Sequence, residues 1–122
     1  MKMQHINDTG WSYSQAVKIS DYKELVFISG QVPANEKEEV PESFIEQCRL
    51  AWSNIEKQLK NAGMSLRDLV KVTVYLSDRK YTKDNAQIRQ EILEDSSPAL
   101  TIMVTGIYDE KWLLEIEAIA GR

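Results

Sequence analysis

The chain has 122 residues and a formal net charge of −4, with apolar and charged fractions typical of a globular protein. This length predicts one domain over residues 1–122, and no apolar run approaches the roughly 20 residues that cross a bilayer, so we expect no membrane partner. Acidic and basic residues are interspersed, and the lack of a basic cluster argues against a nucleic-acid partner.

The first thirty residues predict two strands. Residues 1–6 lack the apolar segment of a signal peptide, and the turn-forming residues within 6–12 predict a turn. Apolar residues of one parity predict a strand over 13–19, and the apolar run 25–30 predicts a second strand. Because the polar link between the two strands is short, we expect them to pair as an antiparallel hairpin.

The run from Leu25 to Pro33 is the segment around which we expect the molecule to be organised. Its β-branched and aromatic residues predict a strand buried on both faces, and Pro33 prevents it from continuing as a central strand. Because glycine has no Cβ, Gly30 permits either a close approach to a partner or a sharp turn. Two interpretations therefore stay open: an ordinary turn, or a Ser29 hydroxyl delivered to the edge of a sheet.

A first helix is predicted between Pro41, which is typical of a first helical position, and Gly63, which is typical of a helix stop. Cys48 is the only cysteine, so no intrachain disulfide can form and we expect a reducing, cytoplasmic compartment. Cys48 is interpreted either as a small buried hydrophobe or as a reactive thiol. The apolar stripe of this helix is Phe44, Cys48, Ala51, Trp52, Ile55, Leu59 and Ala62.

A strand over 69–76 has the clearest alternation in the chain, and a second helix is predicted from Tyr81 to about Leu93. Asn85 is an amide within the otherwise apolar face of that helix. Because buried amides need hydrogen-bond partners, Asn85 either ties down a neighbouring loop or reaches a pocket.

Two more strands are predicted over 99–105 and 112–120. In the last one, Glu115 and Glu117 share a face with two apolar residues, which is typical of a surface partly covered by another subunit. Strands in pairs around two helices predict an α+β fold, with an antiparallel-dominated sheet and both helices on one face.

Six separated segments occur together in the order and spacing of one family, and over nearly its whole length the chain resembles the reactive intermediate deaminases, the Rid or YjgF-type proteins. The resemblance implies a chorismate-mutase-like subunit, in which a six-stranded, mostly antiparallel sheet carries two helices on one face. It also implies a homotrimer with small-molecule ligand clefts between neighbouring subunits. The segments are 13–17, 25–33, 62–63 with 69–76, Asn85, 97–99 and 115–120.

Members of that family with a complete site hydrolyse enamines and imines, such as 2-iminobutanoate and 2-iminopropanoate, to 2-keto acids and ammonia. By resemblance, Glu115 is the catalytic residue. We expect the serine-ended strand of one chain and the last strand of another to enclose the cleft. The positions that match the family's ligand-binding residues are Tyr13, Ser29, Gly30, Asn85 and Leu100.

Leu100 departs from the family pattern, because deaminase members carry an arginine directly after the Pro-Ala pair. That arginine holds the substrate carboxylate through two parallel hydrogen bonds. Leu100, with Ile102 nearby, therefore predicts a smaller affinity for acidic ligands and a less anionic or neutral ligand. A carboxylate next to Leu100 should have its pKa raised by desolvation, which suits a general acid or base, although Glu115 is also interpretable as a structural carboxylate.

Three functions stay open on the sequence. The first is an imine or enamine hydrolase with an altered substrate, and the second is a small-molecule-binding or regulatory trimer without turnover. The third, an endoribonuclease, is disfavoured by the acidic charge. No His, Cys or carboxylate cluster has metal-ligand spacing and no glycine-rich phosphate loop occurs, so we expect no metal and no cofactor.

Overall fold

The computed structural model describes residues 1–122 as a six-stranded sheet with two long helices. Short 3-10 turns at Leu66–Asp68 and Arg79–Tyr81 lead into the fourth strand and the second helix. Neither helix combines the length and apolar content that a membrane crossing requires. The elements are β1 Lys2–Asp8, β2 Ser14–Ser20, β3 Leu25–Gln31, α1 Phe44–Asn61, β4 Leu69–Leu76, α2 Thr82–Leu93, β5 Ala99–Val104 and β6 Leu114–Gly121.

The strands lie side by side in the order β1-β2-β5-β4-β6-β3. The pairs β1–β2, β4–β6 and β3–β6 are antiparallel, whereas β5 runs parallel to both β2 and β4. Helix α1 contacts β6, β3 and α2, so the two helices cover one face of the sheet. The predicted six-stranded, mostly antiparallel sheet with two helices on one face is confirmed.

Two expectations about the N-terminal strands are wrong. Residues 2–8 form a strand that was not predicted, and its last three residues belong to the segment 6–12 where a turn was expected. Most of its side chains are exposed, so no apolar alternation marks it. The predicted hairpin does not form, because β2 pairs with β1 while β3 pairs with β6. A short link brings two strands near each other but does not select the partner. The partner of β3 is selected by packing, since Val26 and Ile28 stand opposite Ala120 and Ala118.

Strand β3 is buried on one face only, so the expectation of two buried faces is wrong for a single chain. Ile28 is 5% exposed and belongs to the core, whereas its neighbour Phe27 is 70% exposed. The reason is position: β3 is an edge strand, and the helices cover only one side of it. A large aromatic side chain on an uncovered sheet face is a candidate for contact with another chain.

Helix α1 begins at Phe44 rather than at Pro41, because Ser43 caps it. The Oγ of Ser43 accepts a hydrogen bond from the main-chain N–H of Glu46 at 3.1 Å. The predicted stop at Gly63 is confirmed: its φ is +74°, and the N–H of the following residue bonds back to the last turn of the helix.

The predicted apolar stripe of α1 forms the centre of the core, except for the exposed Ala62. Cys48 is fully buried there, and this burial raises the pKa of its thiol to about 12. A thiol with that pKa is not a nucleophile at neutral pH, so Cys48 is a structural residue.

The face of the sheet turned away from the helices is called the open face. Its side chains on β4 and β6 are half-buried and mix apolar with charged groups, as the sequence predicts. These residues are paired across the two strands as Lys71 with Ile119, Thr73 with Glu117 and Tyr75 with Glu115.

Candidate functional site

Strand β3 ends in a bulge. Its pairing with β6 shifts by one residue between Ile28 and Gln31, so that Ser29 and Gly30 stand opposite the single residue Glu117. Bulges redirect the chain at the end of a ladder, and this one turns Gly30 toward β6. The exposed Ser29 lies in the same bulge, at the surface.

Gly30 lies directly against the carboxylate of Glu115. A Cβ placed on Gly30 would be 1.8 Å from Oε2 and 2.7 Å from Cδ of Glu115. The glycine is therefore required by a close approach rather than by a sharp turn. The two residues meet within one chain, so the expectation that the serine-ended strand and the last strand come from different chains is wrong.

The carboxyl group of Glu115 has a raised pKa. Burial is the main cause, and the nearby charge of Glu117 adds to it. Glu117 itself accepts a hydrogen bond from the Tyr75 hydroxyl, and this bond raises the pKa of Tyr75. The direction predicted for Glu115 is thus confirmed, although the cause is not Leu100. We call Ser29, Gly30, Tyr75, Glu115 and Glu117 the open-face cluster.

Glu115 also lines a small cavity of about 230 Å³. The cavity lies between β4, β6 and the loop that follows β5. It is large enough for a ligand of a few heavy atoms, and Glu115 is the acidic group in its wall. The remaining lining residues are Tyr75, Thr105, Gly106, Ile107 and Tyr108.

Asn85 lies in the interior of the molecule with its amide group unpaired. The residue is 0% exposed, and neither Nδ2 nor Oδ1 has a hydrogen-bond partner in the protein. The interpretation that Asn85 ties down a neighbouring loop is therefore wrong for the single chain. The interpretation that it serves a pocket stays a prediction.

Arg89 is a second buried polar residue of α2, and it was not among the predicted site residues. It follows Asn85 by one turn of α2, is 4% exposed, and has no protein partner for Nε or Nη1. Burial lowers the pKa of its guanidinium, while Tyr13 and Cys48 act in the opposite direction. The sequence signal was an amide in an apolar helix face with an arginine four residues later. We call Tyr13, Asn85, Arg89 and Leu100 the helix-side cluster.

Leu100 and Glu115 lie on opposite faces of the sheet. Leu100 pairs with Val72, which points into the core beneath the helices, whereas Glu115 pairs with Tyr75 on the open face. The expectation that Leu100 adjoins the Glu115 carboxylate is therefore wrong within one chain. The six predicted site residues form two groups, with Tyr13, Asn85 and Leu100 on the helix side and Ser29, Gly30 and Glu115 on the open face.

No three His, Cys, Asp or Glu side chains of the chain lie close enough together to hold a metal ion. A carboxyl group such as that of Glu115 can transfer a proton, and the side chains of Asn85 and Arg89 can donate hydrogen bonds.

Replacing Asn85 by the similarly shaped leucine is expected to stabilise the fold by about 1–3 kcal/mol, because an unpaired buried amide is exchanged for an apolar group. Urea unfolding of the variant measures this difference. Gln87→Leu, at an exposed position of the same helix, is the matched control and should change stability by less than about 0.5 kcal/mol. A loss of stability in Asn85→Leu would mean that the amide has a stabilising partner.

Relatives of known name share both sequence and fold with this chain. A RutC family protein of Pyrococcus horikoshii is 37% identical over 112 residues, which cover 90% of this chain and 86% of the relative. The crystal structure of RidA from the Antarctic bacterium Psychrobacter sp. is similar with a TM-score of 0.77 and 29% identity, covering 100% of this chain and 99% of the other.

A Rid-family protein of unknown function, YyfB from Yersinia pestis, superposes with a TM-score of 0.87 over the full length of both chains, at 23% identity. That likeness supports the chorismate-mutase-like fold, which the sheet order and the two helices of this chain have. The family described as Endoribonuclease L-PSP matches residues 4–121. This protein therefore belongs to the Endoribonuclease L-PSP family, the family of the RutC and Rid (YjgF-type) proteins.

Proposed function

We propose that this protein hydrolyses a small imine or enamine to a carbonyl compound and ammonia, with Glu115 as the catalytic residue. The observation that carries the proposal is the position of the Glu115 carboxylate, which lies against Gly30 in the wall of a cavity. The pKa of this carboxyl group is raised. A carboxyl group whose pKa is closer to neutrality exchanges protons more readily with a substrate nitrogen and with water.

The reaction needs one water and a group that moves a proton. Glu115 takes a proton from the water while the water oxygen bonds to the carbon of the C=N group. Glu115 then passes that proton to the nitrogen. Glu115 then takes the proton of the new hydroxyl group and gives it to the amine nitrogen. As this tetrahedral intermediate collapses, a C=O bond forms, the C–N bond breaks and ammonia leaves. An enamine enters the same sequence after protonation at carbon converts it to the imine.

The proposed ligand cleft lies between subunits of a homotrimer. The helix-side cluster of one copy faces the open-face cluster of the next, which reconciles the opposite orientations of Leu100 and Glu115 in one chain. Phe27 and the 50%-exposed Met103 are large apolar side chains exposed on the sheet of a single chain, which supports the proposal that another subunit covers this surface. A reducing, cytoplasmic location is part of the same proposal.

A second candidate is a small-molecule-binding or regulatory trimer without turnover. Leu100 favours it, because this position lacks the cation that would orient an acidic substrate. An endoribonuclease is the weakest candidate, since the net charge of −4 opposes binding to a phosphate backbone.

An amino-acid oxidase that generates 2-imino acids provides the test. Purified protein is added to the running oxidase reaction, and the release of 2-keto acid is followed against spontaneous hydrolysis. We expect a clear acceleration that depends on protein concentration. Release at the spontaneous rate, from protein that still binds a 2-keto acid, would favour the binding protein instead.

A further inference from the structure

Helix α2 carries two buried polar side chains that the protein does not pair. Asn85 and Arg89 are four residues apart, so they share one face of the helix and lie next to each other. They are 0% and 4% exposed, and neither the amide of Asn85 nor the Nε and Nη1 of Arg89 has a protein partner. Two such residues side by side mark a place built to receive a polar group.

The charge of Arg89 has no counter-charge within the chain. The three ion pairs, Arg49–Glu91, Lys57–Glu36 and Arg67–Asp95, all lie at the surface and do not include it. Its neighbours Tyr13 and Cys48 are a phenol and a buried thiol. A guanidinium keeps its charge at neutral pH even when buried, and an isolated buried charge is strongly unfavourable. Arg89 is therefore suited to an anion that comes from outside the chain.

We propose that Arg89, with Asn85 beside it, binds the acidic group of the ligand in the proposed cleft. A planar guanidinium donates two parallel hydrogen bonds to a carboxylate, and the Asn85 amide adds a donor one helical turn away. The half-buried Tyr13 marks the surface end of this anion site. This assignment rests on the proposed function for the nature of the ligand. It reverses the expectation of a less anionic or neutral ligand, because the cation missing at Leu100 is supplied by α2.

The assignment is tested without turnover by comparing how tightly the protein binds a carboxylate and the neutral amide of the same molecule. Titration calorimetry is run with 2-oxobutanoate and with its neutral amide, 2-oxobutanamide. We expect the wild-type protein to prefer the carboxylate by about tenfold or more, and Arg89→Gln to lose that preference. Arg89→Lys keeps the charge without the planar group and should retain part of the preference. Arg79→Gln, at an exposed position just before α2, is the matched control and should bind like the wild type.

An unchanged preference in a folded Arg89→Gln variant would overturn the assignment, and so would a wild-type protein that binds both molecules equally or neither. If Arg89→Gln does not fold, thermal unfolding of the wild-type protein decides: a midpoint raised by 2-oxobutanoate and not by the amide supports the site, and equal midpoints overturn it. Failure of the proposed function would be distinguishable from failure of this site. Carboxylate binding that depends on Arg89, without turnover, would leave this site standing while removing the hydrolase.

Discussion

Replacing Glu115 by glutamine is expected to lower the turnover of 2-imino acids by about 100- to 10,000-fold, the range that a positioned general acid or base contributes. Glutamine keeps the size of the side chain and fits beside Gly30, but it cannot accept and return a proton. The change should therefore reduce kcat and leave the binding of 2-oxobutanoate nearly unchanged. Keto-acid release and calorimetry on the same preparation separate the two effects.

The same variant is expected to be more stable than the wild type at neutral pH. Burial and Glu117 raise the pKa of Glu115 above its ordinary value of 4.5, so the folded protein holds this proton to a higher pH than the unfolded chain does. Ionisation consequently destabilises the wild type as pH rises through the pKa of Glu115, and the two proteins converge in stability below pH 4.5. Free energies of unfolding measured for both proteins between pH 4.5 and neutral pH show which of the two is more stable. A variant that is less stable at neutral pH would identify Glu115 as a structural carboxylate.

Replacing Gly30 by alanine is expected to lower turnover by about 100-fold with little loss of fold, because a displacement of a catalytic group by about 1 Å costs a factor of that order. The new Cβ would lie 1.8 Å from Oε2 of Glu115, so the carboxylate must rotate away. The group that moves is the end of a side chain, so the sheet need not change. Keto-acid release and urea unfolding measure the two consequences.

Gly106→Ala is the matched control for Gly30→Ala. Gly106 is a lining residue of the same cavity, but a Cβ added to it meets no atom within 4 Å, so it does not displace Glu115. It should retain wild-type turnover and stability. If Gly30→Ala kept full turnover while folded, the position of the Glu115 carboxylate beside the bulge would have no part in catalysis.

The elements that bury an apolar stripe were predictable from the sequence. The positions of α1, β4 and β6 followed from periods of 3.6 and 2, and Gly63 marked the end of α1. β1 was not predictable, because nearly all of its side chains are exposed and main-chain hydrogen bonds to β2 hold it. The partner of β3 also escaped prediction, since it is set by long-range packing on Ala118 and Ala120 rather than by the length of a link.

The candidate site was predictable in part. Gly30, Asn85 and Glu115 each broke a local pattern, as a glycine in an apolar strand, an amide in an apolar helix face and a carboxylate on a partly covered sheet face. Arg89 broke no pattern on its own, because an arginine in a helix ordinarily extends into solvent. Its spacing of four residues from Asn85 was the one signal. Its burial depends on how α2 lies against α1 and on the approach of Tyr13, and three-dimensional packing alone establishes both.

The most direct test of a cleft shared between copies measures the turnover of mixed oligomers formed from two variants, each of which damages a different cluster. Asn85→Leu damages the helix-side cluster and Glu115→Gln the open-face cluster, so the turnover of each pure variant should be well below that of the wild type. If every cleft takes one cluster from each of two neighbouring chains, random mixed trimers regain both intact clusters in about one cleft in four, and turnover should recover to roughly that fraction of wild type. Mixed oligomers that stay as inactive as the pure variants, or a wild-type protein that sediments as a monomer at micromolar concentration, would contradict the shared cleft.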